Sequence, residues 1–364
     1  MQAVGLAALV ILLADWGVKQ ITNKFRKSQA AEAAPRHRMA DKEFHHTLRP
    51  ASKGLDRFGS TRVEYAVNSL GFRDATPRKI PWSSSQPRVL LLGDSYAEGI
   101  GVPWGETVAG VLQADLAARG VEVLNGAVAG YSPSFTAQKL KRWFLEKNLT
   151  VDLVIMLVDI SDVEDELKLL SNPDGSLTIS PQSPFGDPRY LRFTEKIDSW
   201  LKKTIEPNFV ILGAGVRNLL PLLEQQGWFG VPLGRATWPD YQGPGEVVIA
   251  QGLSRAEKSM TEIRDLCRGR ARLWVVVYPW LEQIRARRLP CRQETFWQTW
   301  GEAQQVPVFS LFPLMLSLGP QFEKDYCLPG DGHWNGQGSK LVAHFLLDKI
   351  YADWGRLFRS RSGP

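Results

Sequence analysis

The sequence predicts an α/β fold, a three-layer sandwich in which about five parallel strands lie between helices, with a large insertion after the third strand. Apolar runs alternate with helical patterns, as a sheet covered on both faces requires. The runs are short and mostly β-branched, which suits strands buried on both faces. About 110 residues separate the third run from the fourth, where a crossover needs roughly 10 to 15.

The elements follow in chain order. The apolar run at residues 4–14, followed by Lys19, Lys24, Arg26 and Lys27, is shorter than the ~20 residues a spanning helix needs. Residues 1–27 therefore read as a signal peptide or membrane anchor, and Ala30, Ala31, Ala33 and Ala34 suit a processing site. Basic residues after the run point the other way, to a cytoplasmic body, and an amphipathic helix on a soluble protein is the competing reading. The expectation is an exported, periplasmic or membrane-anchored protein.

Residues 28–60, rich in Ala, Arg, His and Lys without periodicity, read as a linker. The core begins near residue 61, where residues 62–67 and Asn68-Ser-Leu-Gly71 form a strand and a turn. Strands are expected at 89–92, 121–124, 153–158, 273–278 and 306–311, and helices at 107–118, 134–147, 255–267, 294–304 and 338–351. The first part of the core spans 61–170. Residues 171–252, rich in Pro, Gly, Trp and Tyr, with amphipathic stretches at 193–204 and 216–225, read as an inserted cap subdomain. The second part of the core spans 253–352, and a basic tail at 353–364 closes the chain.

The 364 residues are 44% hydrophobic and 23% charged, enough for one large domain carrying an insertion. The net charge of +6 is spread along the chain, densest from Arg268 to Arg292. No recognition motif accompanies it, so nucleic acid is not an expected partner. Cys267, Cys291 and Cys327 make neither a disulfide framework nor a metal-ligand spacing. Buried thiols are expected; in an oxidising compartment Cys291 with Cys327 is the pair to test for a bridge.

Three segments carry chemistry. The strand at 89–92 ends in Gly93-Asp94-Ser95, and in open α/β sheets the crevice beyond the carboxyl ends of the strands is where ligands bind. Taken alone this turn is better explained by strand termination. Near the other end, Leu328-Pro-Gly-Asp331-Gly-His333-Trp-Asn335 precedes the last helix. A serine hydroxyl needs an imidazole to take its proton and a carboxylate to orient that imidazole. Of the five histidines, His37, His45 and His46 fall in the linker region and His344 lies mid-helix, which leaves His333 with Asp331 beside it. The third segment, 125–132, follows the second strand. Its Gly130 N–H is a candidate oxyanion donor, against the plainer reading of a helix-leading turn.

In this order the segments resemble the SGNH (GDSL-type) hydrolase superfamily over roughly residues 61–352. Asn68-Ser-Leu-Gly-Phe-Arg73, Gly93-Asp-Ser-Tyr-Ala-Glu-Gly-Ile-Gly101, residues 125–132 and Asp331-Gly-His-Trp-Asn335 with Gly338 carry the likeness, nearest in feel to bacterial exported esterases and polysaccharide O-acetyltransferases. The resemblance implies a flavodoxin-like sandwich, Ser95 as nucleophile, His333 as base, Asp331 as its orienter, and Ser95 and Gly130 N–H as oxyanion donors. It implies no cofactor and no metal. The substrate it implies is an acylated carbohydrate or small ester, with hydrolysis or acyl transfer both open. Trp228, Trp238, Tyr241 and Trp334 are candidates for stacking on sugar rings, although aromatic residues in a cap commonly form its core.

Two features depart from the family pattern. Asp331 lies two residues before His333 rather than the commoner three. The family's oxyanion asparagine after the third strand falls on Val158, with Ser161 a substitute only in another register. The loss of one such donor typically lowers rates by ~10²–10³. A catalytically impaired SGNH-like module that binds glycans or holds an assembly together is therefore the alternative. Asp159, Asp162, Glu164, Asp165 and Glu166 cluster after this strand, where a solvated helix start is expected and a metal site is the competing reading. A nucleotide-binding protein is disfavoured, because the segment after the first strand has neither a P-loop lysine nor dinucleotide glycine spacing.

Overall fold

The computed structural model describes residues 37–58, 61–186, 233–287 and 289–358. The chain divides into two compact units, residues 1–34 with 182–249 and residues 35–181 with 250–364. The expectations for residues 1–27 and for the helical stretches at 193–204 and 216–225 lie outside the described residues, as does Trp228.

Twelve described strands occur in chain order: β1 Arg38–Asp41, β2 His45–Leu48, β3 Ser52–Phe58, β4 Thr61–Val67, β5 Arg73–Asp74, β6 Arg88–Leu92, β7 Glu122–Asn125, β8 Leu153–Val158, β9 Leu169–Ser171, β10 Leu177–Ile179, β11 Arg272–Val277 and β12 Val308–Ser310. Eight of them form the central sheet of the larger unit, in the order β12-β11-β8-β6-β7-β5-β4-β3. The five from β12 to β7 are parallel to their neighbours, and β5, β4 and β3 extend the edge antiparallel.

Numbered among themselves in chain order, the five parallel strands run 2-1-3-4-5, the flavodoxin-like order. The chain leaves β6 for β7 on one side and then crosses to β8 on the other. The order therefore reverses between β6 and β8, and the crevice opens beyond their carboxyl ends. Register brings those ends level, with Leu92 opposite Met156 and Val158 opposite Val277.

Alternation along the buried strands sends side chains into two cores. Val89, Leu91, Val123, Ile155, Leu157 and Val276 pack under helices Val108–Leu116 and Gly336–Ala352. Leu90, Leu92, Leu124, Met156, Val158 and Val275 pack against helices Pro133–Lys141, Glu246–Cys267 and Arg292–Gln304. One sheet serving two cores is the three-layer sandwich.

Three expectations are corrected, for the linker, the acidic cluster and the start of the tail, while the aromatic residues and the cysteines follow their plainer readings. Residues 37–58 are not linker: they form a β1–β2 hairpin and the β3 strand, because Phe44, Thr47 and Leu48 are buried and β3 pairs in full register with β4. The acidic cluster after β8 is not solvated, since Asp159, Asp162, Glu164 and Glu166 are all buried. Trp238, Tyr241 and Trp334 are buried as well, so they offer no open face to a sugar ring. The cysteines are free and buried, Cys291 and Cys327 included. Residues 354–357 are not tail: they form a short helix that places Leu357 in the first core. Among the described residues, no helix is long and apolar enough to cross a membrane.

Candidate active site

Strand β6 is followed by Gly93, whose φ of 141° lies where an L side chain is strained. A Cβ there would stand 2.9 Å from Ala97 Cβ and 3.1 Å from the Leu157 carbonyl oxygen. Only glycine lets the chain turn this sharply against β8. Asp94 caps the short helix Ser95–Glu98 by accepting the Tyr96 N–H at 3.0 Å, and this fixes Ser95 just beyond the carboxyl end of β6.

The structure brings Ser95, His333 and Asp331 together across 238 residues of sequence. Ser95 Oγ lies 2.8 Å from His333 Nε2, and His333 Nδ1 lies 2.5 Å from Asp331 Oδ1. A carboxylate only accepts, so Nδ1 carries the proton and Nε2 is free to accept from the serine hydroxyl. The same Asp331 oxygen accepts the His333 backbone N–H at 2.8 Å. The two-residue spacing thus closes a small ring that orients the imidazole.

The loop holding the pair is tied down at several points. Leu328 N–H donates to the His333 carbonyl at 2.8 Å, Cys327 bridges to Trp334, and Asn335 caps helix Gly336–Ala352 through its side chain. Tyr96 stacks on the imidazole at 4.3 Å between centroids, and Phe58 meets it edge-on at 5.1 Å.

The segment after β7 continues beside β6 and the turn that follows it. Gly126 N–H donates to Leu91 O at 2.9 Å and Val128 N–H to Gly93 O at 3.2 Å. Gly130 has a φ of 79°, the left-handed region that glycine enters freely. Among the described residues, neither Ser95 N–H nor Gly130 N–H is taken up by another protein group. The Asn68–Arg73 segment braces this arrangement from below, with Arg73 donating to the Glu98 carbonyl at 2.7 Å and to the carbonyls of Gly99 and Val102.

Beyond β8, Val158 is buried in the second core and offers no donor. Ser161 does not replace one: its N–H and hydroxyl both donate to Asp159 Oδ1, each at 2.7 Å. Asp159 Oδ2 in turn accepts from Tyr278 Oη at 2.9 Å and Trp280 Nε1 at 2.5 Å. Tyr278 Oη also lies 3.0 Å from Asp94 Oδ1. Asp94 keeps part of its surface open, but its carboxyl turns inward to this tyrosine. Burial, reinforced by the Asp159 carboxylate, pushes it well above the ordinary carboxylate range. Asp162 is raised by the same two causes. Asp159 thus accepts from four donors. The donors make it a braced pillar under the Gly93–Ser95 turn, and among the described residues no cluster of ligating side chains fits a metal ion.

No protein-family model matches the chain. No curated protein matches it either. Among solved structures it is similar to the lipase/acylhydrolase from Enterococcus faecalis, at 13% identity over 73% of this chain and 96% of that one, with a TM-score of 0.38. It is similar to a lipolytic protein of the G-D-S-L family from Veillonella parvula, at 11% identity over 72% and 98%, with a TM-score of 0.39. An acetyl xylan esterase is similar at 12% identity over 72% and 99%, with a TM-score of 0.39.

Several site residues escape a reading of the sequence. Tyr96 sits one residue past Ser95, and only the fold shows its ring against His333. Tyr278 and Trp280 follow β11 as ordinary core aromatics. His46 and Arg38 lie in the segment read as linker, where no periodicity marks them.

Proposed function

We propose that this chain is a serine esterase or acyl transferase that works through a covalent acyl-Ser95 intermediate on an acylated carbohydrate or small ester. The hydrogen-bonded line from Ser95 Oγ through His333 to Asp331 carries the reading, and the SGNH-like motif order agrees with it. In this reading Ser95 Oγ attacks the ester carbonyl while its proton passes to His333 Nε2. The negative charge that develops on the carbonyl oxygen is met by the Ser95 and Gly130 N–H groups. His333 then returns the proton to the departing alkoxide, leaving the acyl group on Ser95. Water, or a sugar hydroxyl, is deprotonated by His333 and releases the acyl group as acid or new ester.

With Val158 where a third donor would stand, the hole relies on backbone alone, and a missing donor typically lowers the rate by ~10²–10³. Modest turnover is expected. Export or anchoring through residues 1–27 belongs to the same proposal, and fractionation of cells expressing the full chain tests it.

The deciding experiment compares wild type with Ser95→Ala and His333→Ala, using a fluorophosphonate label and short acyl esters with and without a glycan acceptor. Labelling and turnover should vanish in Ser95→Ala and collapse in His333→Ala, and new ester on the acceptor marks transfer. Equal rates in wild type and Ser95→Ala would sink the mechanism.

A further inference from the structure

Ala129, one position before the proposed donor Gly130, is gripped from both sides. Its N–H donates to Glu98 Oε2 at 2.6 Å, and its carbonyl accepts from His46 Nε2 at 2.8 Å. A carbonyl only accepts, so Nε2 carries the proton, and His46 Nδ1 faces His45 Nδ1 at 3.0 Å. That carbonyl belongs to the same planar peptide as the Gly130 N–H. Fixing one end of a rigid plane aims the other, and donation into the carbonyl also makes the N–H a better donor.

The contact is returned by the next residue. Tyr131 donates its hydroxyl to the His46 carbonyl at 2.6 Å, and the two rings meet edge-on at 5.1 Å. On the other side, Glu98 is fully buried and receives both amino groups of Arg38, at 2.5 and 3.2 Å, and the Tyr65 hydroxyl at 2.5 Å. Burial opposes ionisation of Glu98, but Arg38, Tyr65 and the Ala129 N–H outweigh it and hold its carboxyl below the ordinary range. The partners come from outside the parallel core: Arg38 from β1, His46 from β2 and Tyr65 from β4.

We propose that the β1–β2 hairpin belongs to the catalytic apparatus, with His46 the positioning residue that aims the Gly130 N–H at the developing oxyanion. The inference rests on the reading of Ser95 as an acylated nucleophile. A hole without a side-chain amide after β8 depends more heavily on each backbone donor, so the aim of this one peptide matters more than in a hole with three.

His46→Phe keeps a ring in place and removes the donor, whereas His46→Gln places an amide N–H at a reach similar to Nε2. On a short acyl ester, His46→Phe should lower kcat about 10- to 100-fold with KM within about threefold, since a displaced donor acts on the transition state. His46→Gln should recover most of the loss. Wild-type kcat in His46→Phe, an equal loss in both variants, or a loss confined to KM would overturn the proposal. Amide hydrogen exchange over residues 126–132 supplies a readout independent of turnover. His46→Phe should speed exchange there about tenfold while the sheet strands stay protected, and unchanged exchange would discard the clamp. If wild type turns over no ester, the Ser95 reading fails by itself while the exchange result still judges the clamp.

Discussion

The ring of Tyr96 lies nearly parallel to the imidazole of His333, 23° between planes and 4.3 Å between centroids, while its hydroxyl donates to the Gly332 carbonyl at 3.1 Å. One side chain, adjacent to Ser95 in sequence, thus holds His333 by its face and by its backbone. Tyr96→Phe keeps the face, and steady-state kinetics should find kcat within about threefold of wild type. Tyr96→Leu removes the stacking and should cost about 10- to 100-fold in kcat, the scale of a slightly misplaced catalytic group.

Asp331→Asn tests the role of the carboxylate. The amide can no longer enforce a proton on Nδ1, so Nε2 loses its acceptor lone pair toward Ser95. A fall of about 10⁴ in kcat with little change in Tm is expected. Turnover within tenfold of wild type would place the orienting group elsewhere.

Burial, reinforced by the Asp159 carboxylate, raises the Asp94 pKa well above its ordinary value. Its folded pKa stands above the unfolded value, so the protein loses stability as pH rises above about 4, where the unfolded chain gives up the proton more readily. Asp94→Asn mimics the neutral form and should raise Tm at pH 7. The difference from wild type should shrink toward pH 4, a trend thermal melts across that range will show.

Lys139 is buried, with Nζ 2.5 Å from Thr47 Oγ1 and 4.4 Å from the Phe44 ring centroid. Burial lowers its pKa from 10.5 to about 8. Between these values the unfolded chain binds more protons than the folded one, so stability rises with pH through this window. Lys139→Met removes the titration and should flatten that rise, by up to ~3 kcal/mol between pH 7 and 10.5 in chemical denaturation.

The parallel sheet was legible because β6, β7, β8 and β11 are buried on both faces, and such strands announce themselves as unbroken apolar runs. Ser95 and the Asp331–His333 loop were legible because turn chemistry and the small number of histidines left few other choices. The β1–β2 hairpin was not. Its strands are four residues each with polar side chains along them, and Arg38 and His46 acquire a purpose only from partners at Glu98 and Ala129. The acidic residues after β8 misled for a related reason. Charge in a helix-leading segment normally means solvent, whereas here Tyr278, Trp280 and Ser161 donate into Asp159, and the desolvation is met by hydrogen bonds.

By itself the sequence determined the layered α/β class, the five parallel strands and which serine, histidine and aspartate to consider, since each depends on local periodicity or on residue chemistry. Only the tertiary structure decided that Ser95 Oγ and His333 Nε2 lie 2.8 Å apart and that His46 and Glu98 grip the peptide before Gly130. Those distances arise from strand order and register, which join residues far apart in the chain and leave no trace in the spacing along it.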